Sequence, residues 1–94
     1  MMKTKVGLIV GGSGALGRSV VDQFKKQGWR MLNIDVVNND KADSNYVLST
    51  QEKMGAQLDK IHAHTLSFAS NYDSIICTAG GFIVGSIKDK DIFE

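Results

Sequence analysis

The sequence of 94 residues has one cysteine, no proline and no apolar run long enough to cross a bilayer. A membrane-spanning helix needs roughly 20 apolar residues, and the run at residues 6–10 is too short even for a signal peptide. We therefore expect no membrane partner. A single cysteine, Cys77, excludes an internal disulfide and suits a reducing compartment, so we expect a cytoplasmic location. The absence of proline excludes nothing by itself.

Charge and metal-ligating residues are also sparse. The 11 basic and 10 acidic residues leave a net charge of +1, and no cluster of Lys or Arg favours a nucleic-acid partner. His62 and His64 lie two residues apart, which places them on different faces of a helix. With one thiol and no CxxC pair, we expect no metal site. A chain this short supports one small domain, and we assign residues 1–94 to it.

A strand, a glycine-rich turn, a helix and a second strand are predicted in the first 35 residues. Residues 6–10 are typical of a strand that is buried on both faces of a parallel sheet. The helix that follows has one apolar face, formed by Leu16, Val20, Val21 and Phe24. Gly28 falls where a left-handed C-cap is expected, and residues 29–35 form the second strand. The order and length are those of a βαβ unit.

The remaining residues predict two more strands and a second helix. A polar loop at residues 36–44 is followed by a strand at 45–49, which either runs parallel to the second strand or forms a hairpin with it. Ser49 and Glu52 have capping-box spacing ahead of a helix that continues to Phe68. Residues 74–78 form a fourth strand, with Cys77 as an inert thiol in the core. We predict an α/β fold: a Rossmann-type parallel sheet with flanking helices, incomplete, with about four strands and two full helices.

Four glycines within residues 11–17 separate the first strand from the first helix. Gly12, Gly14 and Gly17 fit GxGxxG, the general dinucleotide fingerprint. Gly11, Gly14 and Gly17 fit GxxGxxG, and Gly11 with Gly17 also fits the outer glycines of TGxxxGxG. Glycine permits sharp turns and close approach of the backbone, and a helix N-terminus attracts phosphate. The segment therefore predicts a dinucleotide-phosphate loop.

Asp35 ends the second strand, 18 residues after Gly17. An acidic residue about 20 residues beyond the loop accepts hydrogen bonds from the adenosine ribose. Its charge repels a 2′-phosphate, and Val36 and Val37 provide no cation for one, so NADH is favoured over NADPH. Arg18, a cation beside the loop, weakens this preference for NADH. The alternative is an ordinary solvated aspartate at a strand end.

The fourth strand ends in Ala79-Gly80-Gly81, and open α/β sheets place ligands at the carboxyl ends of strands. Small residues there allow the backbone to approach the nicotinamide side of a cofactor, although a flexible exit from the strand explains them equally well. The residues that we expect to contact the cofactor are Gly11, Gly12, Ser13, Gly14, Ala15, Leu16, Gly17, Asp35, Val36, Ala79, Gly80 and Gly81.

Three segments resemble the dihydropteridine reductases, an unusual branch of the short-chain dehydrogenase/reductase family: GGSGALG at 11–17, IDVV at 34–37 and CTAGGF at 77–82. The similarity covers residues 6–93. The resemblance implies an NADH-dependent homodimer that reduces quinonoid dihydropterin to tetrahydropterin. It also implies a parallel third strand, reached by a loop in place of a helix. Ser13 stands where the family has an arginine-like residue, and Phe82 replaces a tryptophan at the pterin side.

The Tyr-x-x-x-Lys pair by which short-chain reductases donate a proton is absent from these residues. Thr50 follows Tyr46 at the lysine spacing, and Ile76 follows Tyr72. We therefore assign no catalytic residue, and whether the chain itself is an enzyme stays open. We expect the amino-terminal, cofactor-binding part of such a reductase. The alternative is a non-catalytic NAD(P)-binding module or a truncated remnant without activity.

Overall fold

A computed structural model describes residues 3–78. Its elements are, in order, β1 (Val6–Val10), α1 (Ala15–Lys26), β2 (Arg30–Asp35), β3 (Ser44–Val47), α2 (Met54–Phe68) and β4 (Ser74–Cys77). The four strands form one parallel sheet in the order β3-β2-β1-β4. The predicted α/β class, an incomplete Rossmann-type sheet with two helices, is confirmed.

The sheet has a core on each face because neighbouring side chains of a strand point in opposite directions. Ile9 is fully buried with Val21 of α1 and Met31 of β2. The next residue, Val10, is buried on the other face with Ile34 and Leu48, and α2 covers this second core. Strand β1 is buried on both faces, as the sequence predicted, and β2 is buried on both faces as well, with Asn33 as its buried polar residue.

The strand order reverses beside β1. From β1 the chain moves outward through β2 to β3, and then returns to place β4 on the other side of β1. The carboxyl ends of β1 and β4 therefore meet at a topological switch point, which is the ligand-binding position of open α/β sheets. The loop from β1 to α1 lies at this position.

The third strand is parallel to β2, with Leu32 paired to Ser44 and Asp35 paired to Val47. This excludes the hairpin alternative and confirms the arrangement that the resemblance implied. Residues 36–43 make the connection without a helix or strand of their own. Hydrogen bonds connect this short crossover to both strands. The Asp43 carboxylate accepts the N–H of Met31 in β2, and the Asn45 side chain of β3 bonds the backbone N–H and carbonyl of Asn39.

Helix α1 ends as predicted. Gly28 has φ +86°, and its N–H donates to the carbonyl of Lys25 at 3.0 Å. The N–H of Trp29 donates to the carbonyl of Phe24 at 3.1 Å. These two bonds form a Schellman motif, with Gly28 in the left-handed position that follows the C-cap Gln27.

The predicted capping box forms only in part. The Ser49 hydroxyl accepts the N–H of Glu52 at 3.2 Å, but α2 begins at Met54 with Lys53 as its N-cap. The N–H of Ser49 donates to the side-chain oxygen of buried Gln57 at 2.7 Å, and the Glu52 carboxylate instead pairs with Lys60. A glutamine inside the helix therefore replaces the glutamate of the box.

Two burial predictions are wrong. The buried row of α1 runs through Gly17 and Val21, so Leu16 lies beside it and is 67% exposed. Cys77 is exposed rather than a core thiol. Its strand β4 is an outer strand among the described residues, and Ile75 on the same face is also exposed. An apolar run in the sequence does not distinguish an outer strand from a central one.

Neither helix within residues 3–78 is long and apolar enough to cross a membrane. The same residues contain no group of three His, Cys, Asp or Glu side chains able to hold a metal ion.

Candidate functional site

The loop from β1 to α1 turns at Gly11. Its φ is +90°, a left-handed value that side chains rarely adopt and glycine adopts freely. The N–H of Gly11 still donates to the carbonyl of Ile34 at 2.9 Å, which extends the β1–β2 ladder by one bond. The chain therefore leaves the sheet abruptly, directly above the switch point.

Glycine is required at positions 12 and 17 because a side chain does not fit there. A Cβ on Gly17 would overlap the carbonyl oxygen of Gly11 and lie 2.7 Å from the Cα of Gly12. A Cβ on Gly12 would overlap the side-chain oxygen of Asn33. At Gly14, by contrast, the nearest atom would be 3.8 Å away. The backbone at Gly14 is thus the part of the loop that is open to an approaching group.

The N-terminus of α1 has free donors. Gly14 is the N-cap and carries no side chain, and the first turn contains no acidic residue. In residues 3–78, the N–H groups of Ala15, Leu16 and Gly17 have no acceptor. They lie at the positive end of the helix dipole, an arrangement that binds anions such as phosphate. Arg18 adds a cation, and its Nε donates to the Ser13 carbonyl at 2.8 Å.

Asp35 lies against this loop. Its carboxylate accepts the N–H of Ser13 at 2.9 Å and the N–H of Val36 at 2.6 Å. The Ser13 hydroxyl in turn donates to the carbonyl of Val37. The structure therefore brings together the loop and the strand-end carboxylate that the sequence singled out. The exposed side chains of Val36 and Val37 add an apolar surface beside them.

Three asparagines that sequence reasoning missed support the loop. Asn33 accepts the N–H of Gly12 at 2.9 Å, and Asn39 donates to the carbonyl of Gly12 at 2.8 Å. Asn45 connects the two, accepting Nδ2 of Asn33 and the N–H of Asn39, each at 2.9 Å. The one signal in the sequence is Asn33 itself, a polar residue between the apolar neighbours Leu32 and Ile34 of a buried strand.

The end of β4 is also bonded to the loop. The Thr78 hydroxyl donates to the carbonyl of Gly11 at 2.9 Å, and its N–H donates to the carbonyl of Val10 at 2.8 Å. The predicted site residues Ala79, Gly80, Gly81 and Phe82 follow directly and lie outside the described residues.

A separate cavity of about 380 Å³ lies between the sheet and α2. Its wall is mostly apolar and includes Leu8, Ile34 and Ile61. Tyr72 also lines it, but the phenol donates to the Thr65 carbonyl at 2.6 Å. Burial raises the pKa of Tyr72 above its ordinary value, against the opposing charge of Arg30. The Tyr72 hydroxyl is therefore already engaged within the protein.

No protein-family model matches the chain. Among curated proteins, the chain is similar to a dihydropteridine reductase from Dictyostelium discoideum, with 32% identity over 89 residues. The aligned part covers 93% of this chain and 37% of that relative. The chain thus spans little more than a third of the relative's length. Along nearly all of its own length the chain is similar to dihydropteridine reductase, which confirms the resemblance predicted from its glycine loop and strand ends.

Proposed function

We propose that this chain binds NADH and supplies the cofactor-binding part of a dihydropteridine reductase. The similarity to a protein of that name indicates a pyridine-nucleotide-dependent oxidoreductase. The preference for NADH, the roles of individual residues and the quinonoid dihydropterin substrate are our proposals.

The observation that carries the proposal is the hydrogen bond from the Ser13 N–H to the Asp35 carboxylate. It joins an anion-binding helix N-terminus to a negative side chain in one surface. A dinucleotide matches both groups, because its pyrophosphate is anionic and its adenosine ribose offers two hydroxyl donors. Each carboxylate oxygen keeps a free lone pair after bonding one backbone N–H. Asp35 therefore retains acceptors for the ribose.

We propose that the pyrophosphate lies over Gly14 and the N–H groups of Ala15 and Leu16. The open space at Gly14 supports this placement. Asp35 then disfavours NADPH, since a 2′-phosphate beside the carboxylate is repelled by like charge. Neither Val36 nor Val37 compensates with a cation.

When bound, NADH supplies the hydride for the reduction. From sequence alone we propose that Ala79, Gly80 and Gly81 border its nicotinamide side and that Phe82 contacts the pterin. Assembly as a homodimer and a cytoplasmic location are proposed from the resemblance and the single cysteine. No side chain in this chain is assigned to proton transfer.

The proposal is tested by titrating the chain with NADH and NADPH by isothermal titration calorimetry, before and after Asp35→Asn. The wild-type chain is expected to bind NADH more tightly. The variant keeps the side-chain size but loses the charge and one of the two oxygens that accept the N–H groups of Ser13 and Val36. NADH affinity should therefore fall about tenfold, and the ratio of NADH to NADPH affinity should decrease. Asp40→Asn, the same charge change at an exposed position of the loop at 36–43, is the control. An unchanged preference in Asp35→Asn, or an equal loss in Asp40→Asn, would remove Asp35 from the proposal.

A further inference from the structure

The connection between β2 and β3 is short, yet it contains a fully buried polar side chain. Asn39, in the middle of this loop, is 1% exposed, and so is Asn33 on the neighbouring strand β2. Burial of an amide side chain is costly unless its donors and acceptors find partners. Among the described residues no buried polar side-chain atom lacks one. Ala42 packs against the core at Ile9, Val21 and Met31, and the hydrogen bonds of Asn39 hold the middle of the loop.

Both polar groups of the Gly12 backbone are held by this arrangement. The N–H of Gly12 donates to Oδ1 of Asn33 at 2.9 Å, and its carbonyl accepts Nδ2 of Asn39 at 2.8 Å. The two bonds reach Gly12 from different elements, a strand and a loop. Together they fix the orientation of the peptide groups on both sides of Gly12.

Asn45 on β3 makes the two asparagines into one unit. Its Oδ1 accepts Nδ2 of Asn33 and the N–H of Asn39, each at 2.9 Å. Its Nδ2 donates to the carbonyl of Asn39 at 3.1 Å. Asn33 also donates to the Ser13 hydroxyl at 3.1 Å. The asparagine network, defined as Asn33, Asn39 and Asn45, therefore connects three parts of the chain to the glycine loop.

We infer that the asparagine network positions the glycine loop for the phosphates of its ligand. The network bonds the backbone of Gly12 and the hydroxyl of Ser13. The free N–H groups at the start of α1 are therefore oriented before any ligand binds. Preorganised donors bind more tightly because their ordering is not lost on binding. The asparagines act through Gly12 and Ser13 and are positioning residues. The ligand-binding part of this inference rests on the proposed function.

The first test needs no ligand. Amide hydrogen exchange at Gly12 and Ser13 is measured by NMR in the wild-type chain and in Asn39→Asp. The substitution keeps the acceptor for the N–H of Lys41 but places an oxygen against the Gly12 carbonyl, so exchange at both amides should accelerate about tenfold. Asn38→Asp is the matched control, because exposed Asn38 makes no side-chain hydrogen bond within residues 3–78. Unchanged exchange in Asn39→Asp, or equal acceleration in Asn38→Asp, overturns the inference.

The second test separates phosphate recognition from a general loss of structure. ADP carries the pyrophosphate and adenosine carries none, so NMR titrations with both distinguish the loop from the ribose side. In Asn39→Asp, ADP affinity should fall about tenfold while adenosine affinity stays within about twofold. Asn39→Ala carries no charge and must show the same direction, and it also serves if Asn39→Asp fails to fold. Equal losses for both ligands overturn the positioning role.

The two proposals fail in different ways. If the wild-type chain binds neither ADP nor NADH, the proposed function is wrong, and the exchange experiment still decides whether the network fixes the loop. If the wild-type chain binds both but Asn39→Asp binds ADP equally well, the function stands and the inference is wrong.

Discussion

The glycines of the β1–α1 loop have different structural roles. Gly11 provides a left-handed turn, whereas Gly12 and Gly17 provide space for neighbouring backbone and side-chain atoms. Gly14 has neither constraint, with φ −73° and no atom within 3.4 Å of an added Cβ. The three sequence templates share Gly17 and differ in the others. The structure gives a conformational reason for Gly11 and a steric one for Gly12 and Gly17, whereas Gly14 lies where the backbone is open.

Gly17→Ala should damage folding and Gly14→Ala should damage binding. At position 17 the added methyl group overlaps backbone that has no room to move, so the free energy of unfolding should fall by about 2 kcal/mol. At position 14 the methyl group enters open space, so stability should change by less than about 0.5 kcal/mol. There it occupies the proposed phosphate position, and NADH affinity should fall. Urea unfolding measures the free energy of unfolding, and calorimetry measures the NADH affinity. A Gly17→Ala chain as stable as the wild type would contradict the steric overlap at this position.

Helix α1 depends on its C-terminal cap as well as on the glycine loop. Gly28 has φ +86°, and nothing lies within 4 Å of an added Cβ. The only cost of a side chain there is backbone strain, which makes the position a clean test of conformation.

Gly28→Ala should lower the free energy of unfolding by about 1 kcal/mol, because alanine is strained in the left-handed region. Gly28→Asn is the matched variant, since asparagine tolerates this region and should lose less. Thermal or urea unfolding followed by circular dichroism measures the difference. Equal stability of the alanine variant and the wild type would mean that the Schellman motif contributes nothing.

Asp43 joins α1 to β2 just before β3 begins. Its carboxylate pairs with Lys25 at 2.8 Å and accepts the N–H of Met31 at 2.7 Å. Partial burial raises the pKa of Asp43, but the hydrogen bonds from Lys25 and Met31 outweigh it, and the pKa lies below its ordinary value of 3.8.

A lowered pKa predicts a definite pH dependence. The stabilisation by Asp43 should be complete above the unfolded value of 3.8 and disappear as the pH falls through the lower folded value. Asp43→Asn should therefore be less stable than the wild type at pH 6, and the difference in stability should narrow as the pH falls below 3.8. Asp40→Asn, in the same loop but without an ion pair among the described residues, is the control. Urea unfolding between pH 3 and pH 7 measures the stability of all three chains, and a gap as large at pH 3 as at pH 6 would contradict the assignment.

The sequence predicted the positions of the helices and strands better than it predicted how these elements pair and pack. Apolar runs located β1, β2 and β4, and helical periodicity located α1 and α2, because these signals are local. The direction of β3 did not follow from its residues, since a short polar connection also permits a hairpin. Only the resemblance predicted a parallel strand. The exposure of Leu16 and Cys77 depends on which neighbours the fold supplies, and local patterns do not contain that information.

The candidate site was likewise predicted only in part. The glycine spacing and the position of Asp35 led to the two halves of the site, because each lies at the end of a predicted strand. The asparagine network was missed because the bonds of Asn33 to Asn45 and to Gly12, and of Asn39 to Gly12, join residues 12, 21 and 27 positions apart. Such pairs leave no periodic signal. A polar residue inside a buried strand, such as Asn33, is the feature that deserves inspection in similar sequences.

The glycine loop, Asp35 and the end of β4 meet at one switch point of the sheet, and we propose that NADH binds there. An NMR titration of the ¹⁵N-labelled chain with NADH tests this most directly. We expect the largest amide shifts at residues 12–17 and at Asp35 and Val36, with little change in α2. An absence of shifts at millimolar NADH, or shifts centred on the apolar cavity at Leu58, Ile61 and Thr65, would contradict it.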